Sequence, residues 1–105
     1  MKVLYNNILP PKGFIAINLF GALFARNGTI ISPRTINHES IHTAQMKEML
    51  YVFFYLFYVA EWLIRLPWYK GQAYVNISFE REAYINMLNS NYLKERRRYA
   101  WLKYL

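Results

Sequence analysis

Hydrophobic and polar positions divide the chain into three stretches. Residues 13–31 are rich in apolar, β-branched and aromatic side chains, interrupted at Asn18 and Gly21 and closed by the turn dipeptide Asn27-Gly28. The composition predicts β structure, bent or broken at Gly21, because glycine within a strand marks a bend or a close backbone approach. A signal-peptide core is the competing reading. Against it stand the few cations before the run (Lys2 and Lys12), the prolines at 10 and 11, and the lack of a small-x-small cleavage site.

Ser32-Pro33 then offers an N-cap followed by proline at the first helical position, so a helix is predicted to start near residue 33. No Gly or Pro interrupts the pattern before Pro67, which is expected to end the helix at about residue 66. A connection containing Gly71 follows. A second helix is expected over residues 77–91, with a third or its continuation to the C-terminus. These elements predict one α+β domain over residues 1–105: a β region at 13–31, a motif and aromatic helical segment at 33–66, and a second helix with a basic C-terminal segment at 77–105.

Residues 49–68 are nearly long enough to span a bilayer, with Glu61 and Arg65, spaced four apart, as their only charges. Tyr51, Tyr55, Tyr58, Trp62 and Arg65 share one helical stripe, while Leu50, Phe53, Phe54, Phe57, Ala60 and Ile64 lie largely elsewhere. Core, interfacial and spanning placements compete for this segment. Its weak amphipathicity favours the first two.

Composition narrows the chemistry. There is no cysteine and no aspartate, so metal ligands must come from the two histidines and from Glu39, Glu48, Glu61, Glu80, Glu82 and Glu95. The net charge is +7, carried in part by Lys94, Arg96, Arg97, Arg98 and Lys103 near the C-terminus. Such a run suits an anionic membrane surface, and tyrosine and tryptophan among the charges suit the same interface; a solvated helix face is the plainer alternative. Nothing beyond charge points to nucleic acid, and none is expected as a partner.

Both histidines fall in His38-Glu39-Ser40-Ile41-His42, an H-E-x-x-H pattern in the second turn of the first predicted helix. Residues four apart project from one helical face, so the two imidazoles can share one metal ion while Glu39 reaches a water on it. A catalytic zinc site takes three protein ligands and leaves a fourth position open, which calls for a glutamate. Glu61 would lie about 28 Å from His42 on an unbroken helix, at 1.5 Å rise per residue. Glu80 shares a stripe with Ala83, Tyr84, Met87 and Leu88, whereas Glu82 lies with Asn86 and Asn89 on a polar one. Glu80 is therefore the expected third ligand, with a salt bridge to Arg26 or Arg34 as its non-metal alternative. Tyr84, one turn beyond, is expected either to donate its hydroxyl to a ligand or oxyanion, or to serve as an amphipathic core tyrosine.

The strand region Ala16 to Arg26, the segment Asn37-His38-Glu39-Ser40-Ile41-His42-Thr43-Ala44-Gln45 and the segment Phe79-Glu80-Arg81-Glu82-Ala83 together resemble the gluzincin branch of zinc metallopeptidases, especially the single-domain minigluzincin-like proteins. The chain also resembles a family of small proteins from Bacteroidetes-type bacteria. The gluzincin resemblance covers most of residues 13–90. It implies a minimal zincin-like fold, one zinc ion on His38, His42 and Glu80, Glu39 as general base, and an edge strand within Ala16 to Arg26 that pairs with an extended peptide substrate. Tyr84 stands where the family carries an aspartate that orients a ligating histidine, a departure that bears on catalysis more than on metal binding.

The expected function is zinc-dependent hydrolysis of peptide bonds in a peptide or protein substrate, with Glu39 and Tyr84 as catalytic residues. A non-catalytic zinc protein and a membrane-surface adaptor are the alternatives. The expected location is the cytoplasm, with peripheral association at the inner membrane left open.

Overall fold

The computed structural model describes residues 1–105. It has an α+β architecture with a small three-stranded sheet and four α-helices: β1 (Val3–Asn6), β2 (Ala16–Leu19), β3 (Ala22–Arg26), α1 (Pro33–Glu48), α2 (Val52–Tyr69), α3 (Ser78–Asn86) and α4 (Tyr92–Glu95), with 3₁₀ turns at Lys70–Gln72, Tyr74–Asn76 and Ala100–Tyr104. Strand order is β1-β3-β2. The expected β region is a hairpin, with β2 antiparallel to β3 and Ala16 opposite Ala25. Its two-residue turn, Phe20-Gly21, has positive φ at both positions (53° and 93°), as a tight hairpin demands. A third strand lies outside the expected β region, since β1 pairs in parallel with β3 from Val3↔Leu23 to Asn6↔Arg26.

Asn18, which breaks the apolar pattern of β2, fastens the hairpin to α1. Its amide donates to the Glu39 carbonyl (3.0 Å) and to Thr43 Oγ1 (3.1 Å), while its Oδ1 accepts the Gly21 N–H (3.0 Å). The sheet is thus registered on the motif helix by one buried polar residue.

Helix α1 begins as predicted: Ser32 Oγ accepts the Thr35 N–H at 3.2 Å, and Pro33 occupies the first turn. The single helix expected over 33–66 is instead two, whose axes differ by 109°. Leu50 takes φ 53°, its N–H reaches the Lys47 carbonyl (3.4 Å), and the Tyr51 N–H reaches the Met46 carbonyl (2.7 Å). This is the double hydrogen bond of a Schellman helix end, with leucine where glycine is usual. Pro67 does not end α2, which continues to Tyr69. Pro67 lacks the N–H that would meet the Leu63 carbonyl, and both residues lie on the exposed side of the helix.

Helix α3 stops at Asn86, short of the expected residue 91. Its start is held from α2, where the Glu61 carboxylate accepts both the Ser78 N–H and the Ser78 hydroxyl (2.6 Å). Only 18 of 105 residues are buried, so the apolar core is small and polar contacts must carry part of the specification of the fold. Met46, Phe54, Ile77 and Phe79 form one apolar cluster, with Tyr51, Tyr55, Tyr58 and Trp101 against it. Between α1 and α3 the interior is polar: His38, His42, Gln45, Ser78, Glu80 and Glu82 are all buried there.

Candidate metal centre

His38 and His42 lie one turn apart on α1 and project towards α3, which delivers Glu80 from its first turn. Glu80 Oε1 lies 3.2 Å from His38 Nε2 and 2.9 Å from His42 Nε2, and the two nitrogens are 3.1 Å apart. Ligand bonds of 2.0–2.2 Å to a tetrahedral zinc ion would set its donors about 3.3 Å apart, so this triangle is close to one face of such a site. All three side chains are buried, and their donor atoms could hold one metal ion.

The hydrogen bonds behind the triangle explain why a cation belongs in it. Gln45 Nε2 donates to the Phe79 carbonyl and to Glu82 Oε1, both at 3.0 Å, which leaves Gln45 Oε1 as the atom 2.8 Å from His42 Nδ1. An amide oxygen only accepts, so His42 carries a proton on Nδ1. In the neutral ring Nε2 is then a bare lone pair aimed at a carboxylate oxygen. That repulsion is relieved by a cation, either a metal ion or a second proton. In the metal-free protein the proton fills the role: burial alone would lower the His42 pKa, but the Glu80 charge and hydrogen bond, the Glu39 charge and the Gln45 hydrogen bond together outweigh it and raise the value to about 9. Burial would likewise raise Glu80, yet the His42 charge and hydrogen bonds from His38, His42 and Tyr58 hold its carboxyl below the ordinary carboxylate range.

Tyr58 supplies the contact expected of Tyr84. Its hydroxyl donates to Glu80 Oε2 at 2.6 Å and fixes the carboxylate from the side of α2, while burial and then the Glu80 charge raise the Tyr58 pKa and keep the hydroxyl protonated. Tyr84 is not a buried core residue. Its half-exposed ring meets His38 edge-on, with centroids 4.6 Å apart, and its hydroxyl is 3.0 Å from that of Tyr74. Tyr74 and Tyr84 both line a groove of about 460 Å³ with His38 and Glu39.

Glu39 faces that groove and also a cavity of about 210 Å³ bounded by β2, His42, Tyr58 and Glu80. Burial raises its carboxyl above the ordinary value; the His42 and His38 charges oppose the shift, and the Glu80 charge adds to it. The upward shift makes Glu39 a stronger proton acceptor than an ordinary carboxylate, beside the His38-His42-Glu80 cluster.

The glutamates outside this cluster have other partners. Glu61 is freed by the helix break from its distant place, but it is occupied by Ser78 and by Arg65 (2.9 Å). Glu82, expected on a polar surface, is fully buried, because Arg96 folds back from the C-terminal segment to bond both it and Glu48. The Tyr92 hydroxyl donates to Glu82 as well, at 2.6 Å. A continuous polar chain therefore runs from Arg96 through Glu82 and Gln45 to His42. Neither Arg26 nor Arg34 neutralises Glu80: Arg26 donates to the carbonyls of Pro10, Asn7 and Ile8, and Arg34 is exposed.

Strand β2 is an edge strand beside the cavity. With Leu19 and Ala22 closing a two-residue turn, the outward backbone groups belong to Ala16 and Asn18. The Tyr55 hydroxyl donates to the Asn18 carbonyl (3.2 Å) and accepts the Phe20 N–H (3.0 Å). That part of the edge is covered, and the part at Ala16 lies nearest the metal triangle's groove.

No protein-family model matches the chain, and no curated protein or solved structure matches it significantly.

Proposed function

We propose that the chain is a zinc-dependent peptidase of minimal zincin-like design, with the metal on His38, His42 and Glu80. The observation that carries this reading is the approach of three buried donor atoms to within 2.9–3.2 Å of one another, with Glu39 alongside in an open cavity. Zinc, when bound, supplies Lewis acidity towards the scissile carbonyl and the attacking water. The chain's own groups do the rest. Gln45 holds the His42 tautomer and Tyr58 holds the Glu80 carboxylate. Glu39 takes a proton from the attacking water as the new C–O bond forms, then passes it to the amide nitrogen as the C–N bond breaks. The free edge at Ala16 aligns an extended peptide over the site. Tyr84 and Tyr74 border the groove with their hydroxyls paired, and one of the two, released from that bond, would serve the carbonyl oxygen of the tetrahedral species.

The second reading is a metal site without turnover. Tyr84 favours it, because its hydroxyl is engaged with Tyr74 and not directed at the ligands. Zinc-loaded wild type and Glu39→Gln, each incubated with a peptide library read by mass spectrometry, separate the two. Cleavage by wild type and none by a variant that keeps its zinc supports the peptidase; no cleavage by either overturns it.

A further inference from the structure

Helix α2 buries a single apolar side chain, Phe54, and leaves most of its apolar surface outside. Beside Phe54 the inward stripe is Tyr55, Tyr58, Glu61 and Arg65, which bond Asn18, Glu80 and Ser78 or one another. The opposite stripe, Phe53, Leu56, Phe57, Ala60, Leu63 and Ile64, recurs at i, i+3, i+4 spacing and is exposed, Leu56 at 60% and Ile64 at 68%. Helices that pack on one side normally do the reverse. Trp68, 76% exposed, extends the apolar side at the helix end.

The charge distribution indicates what covers this face. Every glutamate but Glu95 is drawn inward, to the metal triangle, to Ser78 and Arg65, or to Arg96, so the outer surface is almost purely cationic. Cations flank both ends of α2. Lys47 is exposed beside the elbow, where Glu48 accepts the Tyr99 N–H and thereby brings Arg97 and Arg98 near. At the other end Lys70 is exposed, and Arg81 joins the Tyr104 carbonyl to the Tyr69 hydroxyl, which places Lys103 close by. Two copies meeting through this face would oppose their net charges of +7. Anionic headgroups would complement the cations while the acyl region takes the apolar stripe. We infer that α2 lies in the plane of an anionic lipid bilayer, with its Phe53–Ile64 stripe immersed and the metal centre held just above the headgroups.

Flotation of the full chain with vesicles of phosphatidylcholine alone, or mixed with phosphatidylglycerol, tests this. Wild type is expected to float with the mixed vesicles at least tenfold more than with the neutral ones at low salt. Phe57→Glu/Leu63→Glu should lower binding to the mixed vesicles at least tenfold, with an unchanged circular dichroism spectrum, since both side chains are exposed. Arg97→Gln/Arg98→Gln should lower binding to mixed vesicles severalfold and leave the neutral vesicles unaffected. Binding that survives the double glutamate variant overturns the inference. So does a failure to float in which sedimentation shows a dimer that Phe57→Glu/Leu63→Glu dissociates, an outcome that assigns the face to a second copy.

Discussion

Replacing Gln45 by methionine removes the one group that fixes the His42 ring while keeping side-chain volume nearly constant. Three buried partners lose their contacts: His42 Nδ1 (2.8 Å), the Phe79 carbonyl and Glu82 Oε1 (both 3.0 Å). Loss of an outer contact to a ligating histidine typically weakens metal binding about 10–100-fold. Each buried polar group left unmet costs about 1–3 kcal/mol of stability. Glu82 keeps Arg96 and Tyr92, and the Phe79 carbonyl keeps its place in the backbone ladder of α3, so the main penalty falls on His42, for a loss of about 1–3 kcal/mol in the metal-free protein. Competition with a chromophoric chelator reads the zinc affinity, and urea unfolding reads the stability. Nitrogen-15 spectra of the imidazoles report the tautomer: wild type should show Nδ1–H at His42, and Gln45→Met a mixture. A zinc affinity within twofold of wild type, with the tautomer unchanged, would refute the argument that Gln45 prepares the site.

Arg96→Met strands Glu82 and Glu48 without their counter-charge and is expected to cost about 3–5 kcal/mol in urea unfolding, with a loss below 1 kcal/mol counting against a buried network. Zinc binding must displace the His42 proton in the range below about 9, so apparent affinity should rise close to tenfold per pH unit from 6 to 8 and level off above 9; a flat profile would mean that His42 is already neutral when free. Leu50→Gly relieves a positive φ at an exposed position and should stabilise the chain by about 1 kcal/mol, seen as a higher urea midpoint.

What could be read from the sequence was local. The H-E-x-x-H spacing and the Ser32-Pro33 cap depend on residues within one turn of each other, and both appear where expected. Glu80 was legible from its apolar stripe, but the same periodicity misplaced Glu82, whose burial is caused by an arginine 14 residues later. The elbow after α1 was hidden because a leucine, not a glycine, takes the left-handed position. Strand β1 owes its conformation to parallel pairing with β3, a contact that four residues cannot announce. Tyr58 and Gln45 carried no motif of their own. Their spacing along the helical face, Gln45 three residues after His42 and Tyr58 on the tyrosine stripe, was the only available signal.

In the proposed site His38, His42 and Glu80 hold one zinc ion together. X-ray absorption on the zinc-reconstituted protein is the most direct measurement of it. One zinc per chain is expected, with two imidazole nitrogens and a carboxylate oxygen at about 2.0–2.2 Å, and with the imidazole scattering lost in His38→Ala/His42→Ala. A chain that takes up no zinc after reconstitution, or that binds it with the same coordination in the absence of both histidines, would contradict the account.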